Sequence, residues 1–531
     1  MKLDYLYVDG FKNLNDFEVD FDTQSLFTVV IGWNGTGKSN LFEALVIIFR
    51  DLDLKQLTQF KYKIVYSCRG TKVTITNDPS KGTRSKALQC MLEADGPSSK
   101  ETTKKLEEAL PAYVFGYYSG PSQRLKEHFF SHKKRYYEKI IKEENIGVSN
   151  LKALRKFFCA ENSHAKYALL AFFAQQDKAI MAFLKENLRI EGLESVLFVM
   201  KQPSWGNRKA HLWGAKGLVR SFLDRLYDLA LAPMTIEQRV PTSIKKHKTE
   251  QHLYLYVKDT ERLHELSADY DSPNDFFAAM ESADLSEVIH DVQIRVKIRN
   301  YDGELTYREL SEGEQQLLMV LGLLRFTKER EALILLDEPD THLNPHWGTE
   351  YLSMLKHVVD MDAQEKGGES RHIIMATHDP LVISGLQREQ IQILKRDETT
   401  DRCYAEIPDR SPRGMGFEGI LTSDMFGFGS ALDRPTIDLL DEKRRLLPSL
   451  DSKSEKKRKR TAARIEKING IIGDVDFSNV VRDEYFSLFS RAMAHFEEEH
   501  SIEGNALTPE EYEKRQKFAH EFIAKIKKKR P

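Results

Sequence analysis

Eight consecutive residues, Gly32-Trp33-Asn34-Gly35-Thr36-Gly37-Lys38-Ser39, set three glycines, a lysine and a hydroxyl in the order G-x-x-x-x-G-K-S. Glycines let backbone N–H groups turn inward onto phosphate oxygens, and a helix starting beyond Lys38 adds the positive end of its dipole. Lys38 is expected to reach the β- and γ-phosphates of a nucleotide and Ser39 to hold Mg²⁺ through its hydroxyl; Asn34, Gly35, Thr36, Gly37 and Asn40 complete the cradle. A glycine turn without nucleotide is the bland alternative. A second stretch, Ala332-Leu333-Ile334-Leu335-Leu336-Asp337-Glu338, is an apolar run ending in two acids. Asp337 there can hold a metal ion through water, and Glu338 can polarise the attacking water of a hydrolysis. Acids also end many strands as helix caps, so the pair gains force only beside the glycine loop.

These residues need elements to hold them. Residues 26–31 read as a buried strand before the glycines, and after Ser39 the apolar positions Leu41, Phe42, Leu45, Val46, Ile48 and Phe49 recur with helical spacing. Upstream, Leu3, Tyr5 and Tyr7, then Phe17, Val19 and Phe21, predict two strands around a turn at 10–13. The expected division is 1–100, the first part of an α/β nucleotide lobe; 101–245, a helical insertion; 246–410, the lobe's second part; and 411–531, a helical basic region for partner binding. Strands are expected at 253–257, 292–298, 332–336, 373–376 and 391–394, and a run ending in an acid at a strand's carboxyl end suits ligand binding in α/β sheets. No sustained heptad register runs through the helical middle, which argues for a compact lobe over a coiled-coil arm.

Two further stretches narrow the class. Leu310-Ser311-Glu312-Gly313-Glu314-Gln315-Gln316 opens a helix with Ser311 26 residues before Asp337, and Met375-Ala376-Thr377-His378-Asp379 ends a strand with His378 41 residues after it. In this order the four stretches resemble the Walker A, signature, Walker B and switch-histidine motifs of the ABC-type ATPases. The resemblance implies an ABC-type P-loop ATPase head with an inserted helical lobe and a helical C-terminal region, using ATP and Mg²⁺. It implies that Ser311 and Gly313 contact the γ-phosphate of ATP held by a second subunit, and that His378 senses that phosphate. Alone, His378 would be read as a core or capping histidine. Phe11-Lys12-Asn13 is similar to the opening of the SMC and RecF branch, which implies that Lys12 and Asn13 lie near the base and sugar. Glu312 and Glu314 depart from the transporter form of the signature. Gln123, after the Gly120-Pro121 turn, is the candidate Mg²⁺-sensing glutamine, although a Gly-Pro turn is also a sufficient structural reason for that stretch.

Asp340-Thr341-His342-Leu343 and the later segment Leu421-Thr422-Ser423-Asp424-Met425-Phe426-Gly427 resemble the PtuA family, the ATPase subunits of Septu anti-phage systems, some encoded beside retrons. That resemblance implies a homodimer or higher homo-oligomer controlling an HNH nuclease subunit like PtuB, with a reverse transcriptase and retron RNA or DNA as further partners. A RecF/SMC-like ATPase acting in DNA repair is the alternative. OLD-type nucleases append a TOPRIM domain, but no D-x-D pair on a strand follows His378, so no intrinsic nuclease site is expected.

Composition sets the outer bounds. The 531 residues suffice for two to four domains, and 41% hydrophobic with 30% charged residues fits a globular chain rather than a disordered one. No run reaches the ~18 apolar residues of a membrane span, and the start at Met1-Lys2-Leu3-Asp4 lacks a signal peptide's pattern, so a cytoplasmic location without membrane contact is expected. Cys68, Cys90, Cys159 and Cys403 show no C-x-x-C spacing and read as buried free thiols. With 79 basic and 81 acidic residues the net charge is −2, so nucleic-acid contact would need local patches such as 133–135, 245–248, 456–460 or 525–530. Such runs are more often solvated faces.

Overall fold

Strands that are apolar on every residue need cover on both faces. In this computed structural model seven strands form one sheet, the inner three buried at every residue, in the order Cys403–Glu406, Ile391–Arg396, Phe27–Gly32, Arg371–Ala376, Ala332–Asp337, Tyr113–Tyr118 and Phe157–Cys159. All neighbours pair in parallel except the first two. The structure describes residues 1–472 apart from 94–98, 101–102, 121–123, 143–155, 242, 244–246, 300–304, 327–330, 364–370, 398, 429, 431 and 447–453; beyond 472 it describes 514, 517–519 and 522. Two compact units result, Met1–Phe428 and Gly429–Pro531.

Alternate residues of each central strand enter different cores. Val29, Ile31, Ile334, Leu336, Ile373 and Met375 face one hydrophobic cluster, which also takes in the helices Asn162–Gln175 and Glu312–Phe326. Val30, Leu333, Leu335, Ile374 and Ala376 face the other, with the helix Lys38–Leu54. A six-stranded antiparallel sheet running from Phe17–Asp20 and Lys2–Asp9 to Ser99–Lys100 supplies much of this second core. A five-stranded antiparallel sheet, centred on Ile190–Lys201, packs with the first core. The buried His372 ties the outer sheet to the centre. Its Nδ1 accepts from the Leu3 N–H at 3.0 Å, so its Nε2 carries the proton toward Thr28 Oγ1 at 2.9 Å. Burial holds its pKa down at about 3.

The span 101–245, expected to be a helical insertion, differs from that reading. Helices such as Arg124–Lys142 and Gly217–Leu229 alternate there with the strands Tyr113–Tyr118, Phe157–Cys159, Ile190–Lys201 and Met234–Pro241. The run Tyr113-Val114-Phe115-Gly116-Tyr117-Tyr118 is aromatic and apolar, which suits a pleated surface, and it belongs to the central sheet. In the second unit the helices Arg434–Leu446 and Glu455–Ile472 are joined by Arg464, whose Nε and Nη2 bind Glu442 at 2.7 and 2.6 Å. The basic residues 456–460 are exposed. Residues 525–530 and 244–246 lie outside the described residues. Among the described residues no helix is long and apolar enough to cross a membrane.

Candidate nucleotide site

Parallel pairing aligns the carboxyl ends of the central strands. Asp337 is in register with Ala376 on one side and Tyr118 on the other, and Gly32 with Leu394. The glycine loop, the acid pair and His378 therefore emerge along one edge of the sheet, where open α/β sheets place ligands.

The loop leaves its strand at Gly32, where a Cβ would collide with the Leu394 carbonyl and lie 2.9 Å from Thr36 Oγ1. It enters the helix at Gly37, whose φ of 102° is left-handed and disfavours any side chain. No side chain caps this helix. Its first N–H groups have no intrahelical acceptor, and that combination makes an anion site. Asn34 and Gly35 are exposed at the tip, and Thr36 Oγ1 steadies the turn by donating to the Trp33 carbonyl at 2.8 Å. Lys38 is buried and donates to the carbonyls of Gly32 at 2.7 Å and Trp33 at 3.2 Å. Burial lowers its pKa to about 8, against the opposing pull of Glu338 and Asp337.

Ser39 hydrogen-bonds the Asp337 carboxyl, which is buried. Burial first, then the neighbouring charge of Glu338, raises the Asp337 pKa to about 6 against the Ser39 bond and the Lys38 charge. A hydroxyl and a carboxylate side by side, with the carboxylate short of positive charge, are the oxygen donors that Mg²⁺ takes. Ser39 and Asp337 fit that ion, and the uncapped helix start with Lys38 fits the phosphates it would accompany. When bound, Mg²⁺ neutralises phosphate charge.

Beyond the strand end, Glu338 adopts φ 53° and its N–H donates to the Ala376 carbonyl at 2.9 Å. Its carboxylate meets His378 Nε2 at 3.0 Å, and this bond lowers the Glu338 pKa. Both side chains remain more than a third exposed, so water reaches them. Nearby, Thr377 Oγ1 donates to the buried Asp340 at 2.6 Å and accepts from the Asp379 N–H at 2.9 Å, fixing the turn that presents His378.

Asn13 bridges into the loop: its amide donates to the Gly35 carbonyl at 2.9 Å and its Oδ1 accepts from Asn40 at 2.5 Å. Lys12 is paired with Glu43 on the helix that follows the loop. Ser311 and Gly313 are not brought to this chain's own loop by any described bond. Ser311 Oγ donates to Glu314 at 2.9 Å in its own first turn, and Gly313 packs so closely on the His342 carbonyl that a Cβ would collide with it. Gln123 lies outside the described residues.

Sequence reasoning missed Arg124 and His128. Arg124 donates to Asn40 Oδ1 at 2.5 Å and pairs with Glu43 at 2.7 Å; His128 reaches Glu43 at 3.1 Å. Burial pushes the Glu43 pKa up, but the bonds from His128 and Lys12, with the Lys12 and Arg124 charges, win and hold it at about 2. Their signal was the four-residue spacing Arg124, His128, His132, which is one face of a helix.

The AAA ATPase domain family matches residues 1–383. The chain belongs to that family. As an AAA ATPase domain it is a nucleotide-binding fold, in keeping with the geometry above. It is also similar to Septu protein PtuA of Bacillus mycoides (strain KBAB4), 27% identical over 242 residues, or 43% of this chain and 32% of that protein. Septu protein PtuA of Bacillus thuringiensis is 25% identical over 177 residues, 30% of this chain and 41% of that one. The matched stretch thus spans well under half the length of either relative. A solved Smc head domain, bound to the C-winged helix domain of ScpA, superposes with a TM-score of 0.33 and 10% identity over 77% of this chain and 98% of that one.

Proposed function

We propose that this AAA ATPase domain protein is the ATP-binding and ATP-hydrolysing subunit of an anti-phage defence complex that controls an associated HNH nuclease by sensing nucleotide or nucleic acid. The observation that carries the ATPase reading is the single sheet edge holding Lys38, the Ser39–Asp337 pair and the Glu338–His378 pair. The similarity to two Septu proteins supports the biological setting.

In this reading Lys38 leaves the loop carbonyls for the phosphates, Ser39 and Asp337 hold Mg²⁺, and Glu338 takes the proton of an attacking water. His378 orients Glu338 and keeps its carboxylate ionised. Lys12 and Asn13 flank the base and sugar. Ser311 and Gly313 complete the site of a second copy, so the working unit is a homodimer or a higher homo-oligomer. Residues 411–531 serve the nuclease subunit, and a reverse transcriptase with retron RNA or DNA joins where a retron is present.

Purifying the complex from its native host tests this. An HNH protein that co-purifies, and is lost when the chain is truncated from Asp433 onward with ATP binding intact, supports the reading. Repair proteins on gapped DNA in its place would replace it with the RecF/SMC-like alternative. The chain alone, with Mg²⁺ and ATP, should leave DNA and RNA intact.

A further inference from the structure

The strand Met234–Pro241 is the outer edge of the five-stranded sheet, and among the described residues it pairs on one side only, with His247–Val257. Residues 231–239 are exposed without a break, so neither face of the strand is covered. Leu231, Met234 and Ile236 are 67%, 54% and 40% exposed, apolar side chains that no core receives. A free edge presents a row of backbone N–H and C=O groups with which another strand can pair, and proteins usually close such edges with prolines, charges or a covering element. Pro233 and Pro241 bound this one. Between them the charged residues are Glu237 and Arg239, of opposite sign, on either side of Gln238.

That arrangement is complementary to itself. Two copies of an edge strand meet antiparallel about a two-fold axis normal to the sheet, and side chains directly opposite each other then lie on the same face. With the axis at Gln238, Glu237 stands opposite Arg239 of the second copy, and Arg239 opposite its Glu237. On the other face Ile236 stands opposite Val240 of the second copy, again twice over. Moving the axis by one residue sets Glu237 against Glu237 or Arg239 against Arg239, and like charges directly opposite are destabilising. Charge thereby fixes the register. The single chain leaves these groups available: Arg239 makes no ion pair among the described residues, and Arg208 takes Oε1 of Glu237 in an exposed pair that leaves Oε2 open. Gln238 is already bonded to the Tyr254 hydroxyl of the neighbouring strand.

We propose that Met234–Pro241 is an interface to a second copy of this chain, the two edge strands pairing antiparallel about Gln238 so that their sheets run on as one. The occupant is a second copy because the same short stretch supplies both members of each charge pair. Closure about a two-fold uses up the edge on both chains, so pairing stops at two and does not extend into a fibre. No nucleotide takes part, and the inference does not rest on the ATPase reading. Added to the contact through Ser311 and Gly313 proposed above, it takes the assembly beyond two copies.

The test is sedimentation velocity on the full chain carrying Lys38→Ala, without nucleotide, from ~1 to ~100 µM. A concentration-dependent dimer is expected. Glu237→Arg and Arg239→Glu, each at an exposed position, should each weaken it at least about tenfold with an unchanged circular-dichroism spectrum, because two attractive pairs become two repulsive ones. An equimolar mixture of these two variants should restore a dimer of unlike chains, and the chain carrying both substitutions should dimerise like its parent. A monomer throughout that range, a dimer indifferent to either substitution, or single variants that stay apart on mixing overturns the proposal.

Discussion

His378 Nε2 stands 3.0 Å from Glu338 Oε1, joining two residues that lie just past the ends of neighbouring central strands. The bond makes the proposed base and the proposed phosphate sensor one unit. Glu338→Gln should keep ATP affinity within a few-fold while hydrolysis falls by ~10²–10⁴ in single-turnover assays, the usual contribution of a positioned base. With His378→Ala, the acid limb of the rate profile should move to higher pH, because Glu338 loses the bond that lowers its pKa. Turnover by Glu338→Gln at the parent rate would remove Glu338 from the mechanism.

The Asp337 carboxyl, raised to about 6 by burial, sets a second expectation. A folded-state pKa above the ordinary carboxylate value means that this group favours the fold below about pH 4, and that contribution is lost as pH rises through 6. Magnesium needs the ionised form. Below pH 6 the Mg²⁺ dependence of nucleotide binding should weaken by about tenfold per pH unit, while nucleotide binding measured in EDTA stays flatter. Asp337→Asn should abolish that difference; a Mg²⁺ dependence unchanged between pH 5 and 7 would contradict the assignment.

Lys38 carries the opposite sign. Burial holds its pKa at about 8, so near pH 8.5 much of it is neutral, and its contribution to stability from this group is reduced once pH falls below 10.5 and the unfolded chain protonates. Phosphate oxygens favour the charged form. ATP binding near pH 8.5 should therefore take up a proton, read as a dependence of the calorimetric enthalpy on the buffer's ionisation enthalpy, and affinity should decline above pH 8. Binding without proton uptake would mean that Lys38 does not reach the phosphates.

Ser311, bonded within its own helix, leads to a mixing experiment. Ser311→Arg and Lys38→Ala should each abolish ATPase activity alone. Heterodimers place both lesions in one composite site and leave the other intact, so mixing should restore up to about a quarter of parental turnover after full subunit exchange, half the dimers being mixed and each holding one of two sites. An absence of recovery with exchange verified by native mass spectrometry would rule out the shared site.

The core of the site was legible because its chemistry is local. Eight neighbouring residues specify the loop, and one apolar run specifies the strand that brings Asp337 and Glu338 to the sheet edge. The strand Tyr113–Tyr118 was not read, although its side chains are apolar, because it lies among lysine- and glutamate-rich helical segments and its place in the sheet comes from partners more than two hundred residues away in Ala332–Asp337. Glu43 and Arg124 were hidden for the same reason: a buried carboxylate in an apolar helix reveals its partners only once the second helix is laid beside it. The four-residue spacing of Arg124, His128 and His132 marked a face without saying what it faced.

Glu338 holds φ at 53°, a conformation that asparagine or glycine would occupy with less strain. Selection for durability and selection for turnover thus pull in opposite directions at this position. A population of such genes released from the demand for hydrolysis would drift toward the relaxed residues and yield longer-lived but silent proteins. Persistence of glutamate there would record, lineage by lineage, that the machine was still being used.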